Sequence, residues 1–262
     1  PSTVSVVADL ADLKAGTEIV LKNGVALDET SVITTAGKIT VTKGILAGDI
    51  TSSGEVYISS TSVFLAELTL DEYTGVFNAA SGATLSGTVK ASSNETPSVE
   101  SSVWFAGVKA ASAVSVVFVD KTVDYLLISG SVKSSSDGTV TLGGNVSIAE
   151  TLSIQESVTI EITVTGTLTV LADAYLNIEK DAGLTVSSDD TLIVEGTVNI
   201  AEDASATGLT VTVKGDGLIS AFEQLTSFTT FNAVEYVIQT GTTTTYYYVT
   251  FANAVGMIPE AV

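Results

Sequence analysis

Pairs of aliphatic residues separated by a single polar residue recur along the second half of the chain. They are Val146/Ile148, Leu152/Ile154, Val158/Ile160, Leu168/Val170, Leu176/Ile178, Leu184/Val186, Leu192/Val194, Val198/Ile200 and Leu209/Val211. In extended backbone successive side chains point to opposite faces, so each pair sets two apolar groups on one side of a very short strand. Gly, Ala, Asp and Ser stand between the pairs, where the chain must turn. Val146 to Leu168 is 22 positions and Leu168 to Leu192 is 24, which predicts three strands per coil of about 22–24 residues. Such a coil buries its apolar side only against neighbouring coils. The expected fold is therefore all-β, a β-solenoid of parallel β-helix-like coils.

A looser form of the beat runs through Ile19/Leu21, Val25/Leu27, Ile39/Val41, Val56/Ile58 and Val63/Leu65. It assigns residues 1–89 to irregular N-terminal coils and 136–220 to regular ones. Between them the rhythm blurs around Asn94, Pro97 and Trp104, and residues 90–135 are expected to form an interrupting loop or small lobe, with 90–113 leaving the solenoid body. From Ala221 onward the chain turns aromatic. Val234 to Thr240 and Tyr246 to Thr250 read as two strands joined by Gly241 and four threonines, which predicts a C-terminal aromatic hairpin within a unit spanning 221–262. An open last coil presents unpaired backbone groups, so this unit is expected to cap the solenoid or to dock on another copy. Tyr236, Tyr246, Tyr247, Tyr248 and Phe251 are the candidate interface residues.

Composition narrows the chemistry. The 262-residue chain carries a formal charge of −20 with no His and no Cys, and its ten basic residues are all Lys. Imidazole bases, thiolate nucleophiles and thiolate ligands are absent, as is the guanidinium fork that grips phosphate. The acidity repels nucleic acid and anionic lipid. No apolar run reaches the length of a transmembrane helix. Adjacent carboxylates such as Asp189-Asp190 and Glu202-Asp203 sit at turn positions in a chain only 6% aromatic, unlike the sugar-lined cleft of a glycosidase. Thr-x-Thr pairs such as Thr167/Thr169 do not recur at one position of every coil, as an ice-binding face requires.

No cofactor is expected, with calcium the one ion to consider. Hard cations take oxygen ligands at turns, and Asp137, Asp189, Asp190 and Asp216 are the candidate metal ligands, although no segment matches a calcium-roll repeat or an EF-hand loop.

The segments Gly166–Val170 (GTLTV), Gly183–Val186 (GLTV) and Gly196–Ile200 (GTVNI) resemble coils of right-handed β-helix adhesins and other prokaryotic surface proteins. More loosely, the acidic, Cys-free, Ser/Thr/Val-rich composition is similar to S-layer, sheath and filament subunits. The resemblance implies a solenoid at the cell surface or outside the cell. A start at Pro1 instead of Met fits the same expectation. The function expected is structural and not enzymatic, an extracellular protein that self-assembles with copies of itself, and with divalent cations where calcium acts, into a filament, sheath or surface layer. The alternative is a monomeric adhesin or carbohydrate-binding stalk in which Trp104 and Phe105 meet the ligand, and a polysaccharide-active β-helix stands third.

Overall fold

A computed structural model describes residues 18–22, 32–70, 75–80, 82–91, 102–110, 113–118, 126–133, 138–155, 157–186, 191–225, 228–231 and 233–257. The chain is a β-solenoid. Its strands fall into three stacks, visited in the order first, second, third and then first again, as in 32–35, 38–42, 45–46 and 49–52. Within each stack the pairing is parallel as far as Leu218–Ala221.

The second stack shows how uniform the register is. One position reads Ile19, Ile39, Val56, Phe77, Val103, Ile128, Ile148, Val170, Val194 and Val213 from coil to coil. The first stack likewise aligns Ile33, Ile50, Leu68, Val89, Val116, Leu142, Ile162 and Val186. Apart from Phe77, each position of these columns is aliphatic and is aligned with an apolar position on the next strand, about 4.8 Å away. Leu68, Val89, Ile148, Val170 and Val194 are wholly buried. Burial of each such side chain contributes about 1.5–3 kcal/mol, and the same column holds every coil to the next.

Coil length is less regular than the expected 22–24 residues. Ile39 to Val56 is 17 positions and Phe77 to Val103 is 26, with no break in register. The corners absorb the difference. Some are four-residue turns in which the fourth N–H donates to the first carbonyl, as Ala174 to Leu171 at 3.0 Å, Ala182 to Glu179 at 3.1 Å and Ala204 to Ala201 at 3.2 Å. Their third residues, Asp173, Asp181 and Asp203, have φ of 65°, 60° and 61°, a conformation Asp tolerates through local hydrogen bonds of its side chain. Another corner is only Glu195-Gly196, whose N–H groups both donate to Val170 O at 2.9 and 3.0 Å. An added Cβ on Gly196 would collide with the carbonyl oxygens of Leu171 and Ala174.

Three expectations need correction. Ser102–Ala110, expected to leave the body, is a strand of the solenoid, and so is Ala113–Phe118 within the 90–135 segment expected to interrupt it, each paired in parallel on both sides. A ladder needs only extended backbone in register, so contiguous apolar stretches that lack the polar alternation pair as well as those that have it. Val63/Leu65 is the wrong phase, because Phe64 is buried while Leu65 is 43% exposed. The column there is Leu46–Phe64–Leu85, and the Phe64 ring lies 4.8 Å from that of Phe77 in the core. The aliphatic pair that follows Leu192/Val194 in the second stack is Val211/Val213 instead of Leu209/Val211, since Leu192 and Val194 align with the former. The pair Val25/Leu27 lies outside the described residues.

Candidate functional site

The stacks end differently at the C-terminal end, and this is where surface and core exchange roles. Leu218–Ala221 is the last parallel rung of the third stack. The strand Thr243–Val249 then pairs with it antiparallel, and Val234–Thr240 pairs antiparallel with Thr243–Val249. Gly241, φ 64°, opens the two-residue turn between them. The hairpin thus adds two antiparallel rungs, of which Thr243–Val249 runs against the solenoid strands and Val234–Thr240 runs with them.

Register carries the core columns into the hairpin. Leu152, Leu176, Val198 and Ile219 are followed by Tyr248 and then Glu235. A parallel column runs Ile154, Ile178, Ile200, Ala221, Tyr246, Val237. On the opposite, outward side Ser153, Asn177, Asn199 and Ser220 lead to Tyr247 and Tyr236. The two tyrosine rings are stacked, 4.9 Å apart and 10° from parallel.

Tyr248 is buried, and its hydroxyl accepts a hydrogen bond from Leu225 N–H at 3.2 Å. Burial pushes this hydroxyl up to about 12; the Glu235 carboxylate adds to the shift, while the Leu225 hydrogen bond opposes it. Burial, and then the neighbouring Tyr247, also raises Tyr236. Beyond this rung apolar side chains are displayed beside Glu235 and Gln239, with Val237 49%, Ile238 47% and Phe251 72% exposed. Phe251 opens the short helix Phe251–Met257, which rests against Val234–Thr240. Beside the hairpin turn an open groove of about 280 Å³ is lined by Glu202, Phe222, Glu223, Thr242, Thr243 and Thr244.

The expected interface residues therefore divide. Tyr236, Tyr246 and Tyr247 are half-buried on the hairpin and Phe251 is exposed, whereas Tyr248 belongs to the interior and cannot anchor a partner. Trp104 and Phe105 lie within the strand Ser102–Ala110, in register with Asn78 and Ala79 on one side and Ser129 and Gly130 on the other, and not on a projecting lobe. Of the candidate metal ligands, Asp137, Asp189 and Asp190 lie outside the described residues. Asp216 is exposed at a corner, where its carboxylate accepts a hydrogen bond from Asn253 Nδ2 at 3.3 Å. Among the described residues no three acidic groups gather in a way that could hold a metal ion.

Polar contacts on the solenoid surface run from coil to coil. Asn199 Nδ2 donates to Asn177 Oδ1 at 2.8 Å, and Asn177 Nδ2 to Ser153 Oγ at 3.3 Å. Lys38 pairs with Glu55 at 2.8 Å and Lys180 with Asp203 at 2.9 Å. Glu55 also accepts from Asn78 Nδ2 at 2.9 Å; burial works against its charge, but the hydrogen bonds from Lys38 and Asn78 hold its carboxyl below the ordinary value. These contacts tie neighbouring coils together at those positions.

Glu235, Val237 and Ile238 were not among the expected site residues. A signal for them exists: from Tyr236 to Pro259 there is no charged residue, in a chain that is 15% charged. No protein family matches the chain, and neither the curated proteins nor the solved structures contain a match. No helix among the described residues is long and apolar enough to cross a membrane.

Proposed function

We propose that the chain is an extracellular structural protein that self-assembles through strand edges and ends into a filament, sheath or surface layer. The observation that carries this reading is the hairpin at the C-terminal end, where in-register columns terminate on an outer strand that displays Val237 and Ile238 to solvent. A strand edge with apolar side chains is a template for further pairing, which soluble monomers ordinarily blunt with charge. The column contacts add to the argument. Coils held by apolar side chains in register resist shear and proteolysis, because opening one rung exposes both neighbours. The charge of −20 keeps such chains apart until cations screen it.

Negative-stain electron microscopy of the purified protein, with and without millimolar calcium and at low and high salt, tests the reading. Ordered filaments, tubes or sheets under at least one condition are expected. Dispersed single particles under all of them would overturn it.

A further inference from the structure

We propose that the outer edge of the C-terminal hairpin is a two-fold junction with a second copy of this chain, centred on Val237. The inference rests on the self-assembly reading and specifies its contact.

The backbone comes first. Thr240 and Thr243 close a two-residue turn, and the pair that closes such a turn exchanges backbone hydrogen bonds. Alternation then turns the N–H and C=O groups of Thr240, Ile238, Tyr236 and Val234 toward Thr243–Val249. Those of Glu235, Val237 and Gln239 point to the far edge, where no described strand pairs with them. The hairpin has already changed the sheet from parallel to antiparallel, so an antiparallel partner extends it without a new geometry.

Side-chain parity then restricts the register. Opposed residues of an antiparallel pair share a face, so a two-fold axis normal to the sheet must lie midway between one residue and its own copy, with no offset of a single residue. Centring on Tyr236 would set Glu235 against the partner's Val237, an apolar neighbour for a carboxylate. Centring on Val237 opposes the two Val237 side chains, each 49% exposed in the single chain. It also places Glu235 opposite Gln239 of the second copy, so that an amide donor meets each carboxylate, and Tyr236 opposite Ile238. Glu235, Val237 and Gln239 of both copies would then exchange about six backbone hydrogen bonds. The column Ile154, Ile178, Ile200, Ala221, Tyr246, Val237 continues through the axis into its own mirror order.

Electrostatics favours this occupant. Two chains of charge −20 approach most easily where charge is lowest, and the hairpin after Glu235 together with the following helix carries none. Phe251 and Val255, 72% and 56% exposed on that helix, supply further apolar surface at the same end. An isologous contact of this kind closes on itself, so growth beyond a pair requires a second contact elsewhere on the molecule.

The test uses the whole chain, of 26.8 kDa. Light scattering after size exclusion is expected to give a mass of two chains or a multiple, and Val237→Lys to lower the paired fraction at least tenfold with the circular dichroism spectrum unchanged. Val237→Cys keeps the test independent of that variant's folding. The chain has no other cysteine, and opposed Cα atoms about 5.5 Å apart are within disulfide reach. Mild oxidation is expected to cross-link Val237→Cys at least tenfold faster than Tyr175→Cys, which introduces a thiol at an exposed site on the solenoid body. Equal cross-linking of the two cysteine variants, with Val237→Lys leaving the mass unchanged, overturns the junction. Filaments that persist in Val237→Lys overturn the junction while self-assembly stands. Pairs that never grow support the junction and count against the filament reading, and a wild-type chain of single-chain mass at every concentration overturns both.

Discussion

Tyr248 occupies the end of a core column with a hydroxyl that must stay protonated to remain there. Its hydroxyl titrates near 10 in the unfolded chain and at about 12 in the folded one. The folded value is the higher, so the stabilisation is fully present below pH 10 and disappears as the pH rises through 12. Two units correspond to about 2–3 kcal/mol. Urea denaturation between pH 9 and 12 is expected to show that loss in the wild type and a much flatter profile in Tyr248→Phe; identical profiles would remove Tyr248 as the cause. Gly196 is the other residue whose identity geometry dictates. Gly196→Ala forces its corner away from the carbonyls of Leu171 and Ala174, at a cost of about 1–3 kcal/mol, and an unchanged urea midpoint would contradict the close approach.

Each strand touches its neighbours in two ways, through buried columns and through surface ladders, and the two differ in weight. Leu176 is wholly buried between Leu152 and Val198, so Leu176→Ala is expected to cost about 2–5 kcal/mol. Asn177, the next residue, hydrogen-bonds to Ser153 and Asn199 on the outward side, where Asn177→Ala is expected to cost about 0.5–1.5 kcal/mol. Chemical denaturation of the two variants compares them directly, and equal losses would mean that the amide ladder matters as much as the core. The Lys38–Glu55 pair belongs with the ladders and contributes about 1 kcal/mol or less, because both side chains remain about a third exposed. Its sign follows from Glu55, whose folded carboxyl lies below the ordinary 4.5: the contribution is complete above pH 4.5 and lost as the pH falls further.

Across the whole molecule like charges must coexist on a stack of closely spaced rungs. Asp49 and Glu67, both exposed, are in direct register on first-stack strands spaced about 4.8 Å apart, and like charges at about that separation repel by roughly 1 kcal/mol in water. Salt screens such pairs within a Debye length of about 10 Å at 0.1 M. Calorimetry is therefore expected to show the melting temperature rising between 10 mM and 1 M sodium chloride. A flat response would mean that repulsion is not what limits this fold.

The amino-acid order alone determined that the chain is a β-solenoid. A pair of aliphatic residues flanking one polar residue specifies a short strand with one buried side, and its recurrence leaves no other means of covering that side. The aromatic hairpin was legible for the same local reason, two strand-forming runs around Gly241, but the expected connection of Gly241 and four threonines is in the structure a two-residue turn, with Thr243–Thr245 in the second strand. Register between coils is not local. Whether Phe64 or its neighbours Val63 and Leu65 faces inward depends on Leu46 and Leu85, eighteen positions before it and twenty-one after. The strand Ser102–Ala110 was missed because the repeating aliphatic pairs do not run through it in the sequence, whereas its backbone pairs in register on both sides. Only the tertiary structure put Tyr248 inside and set Glu235 and Val237 at the ends of two core columns, because a residue's place in a column is decided by the coil beneath it.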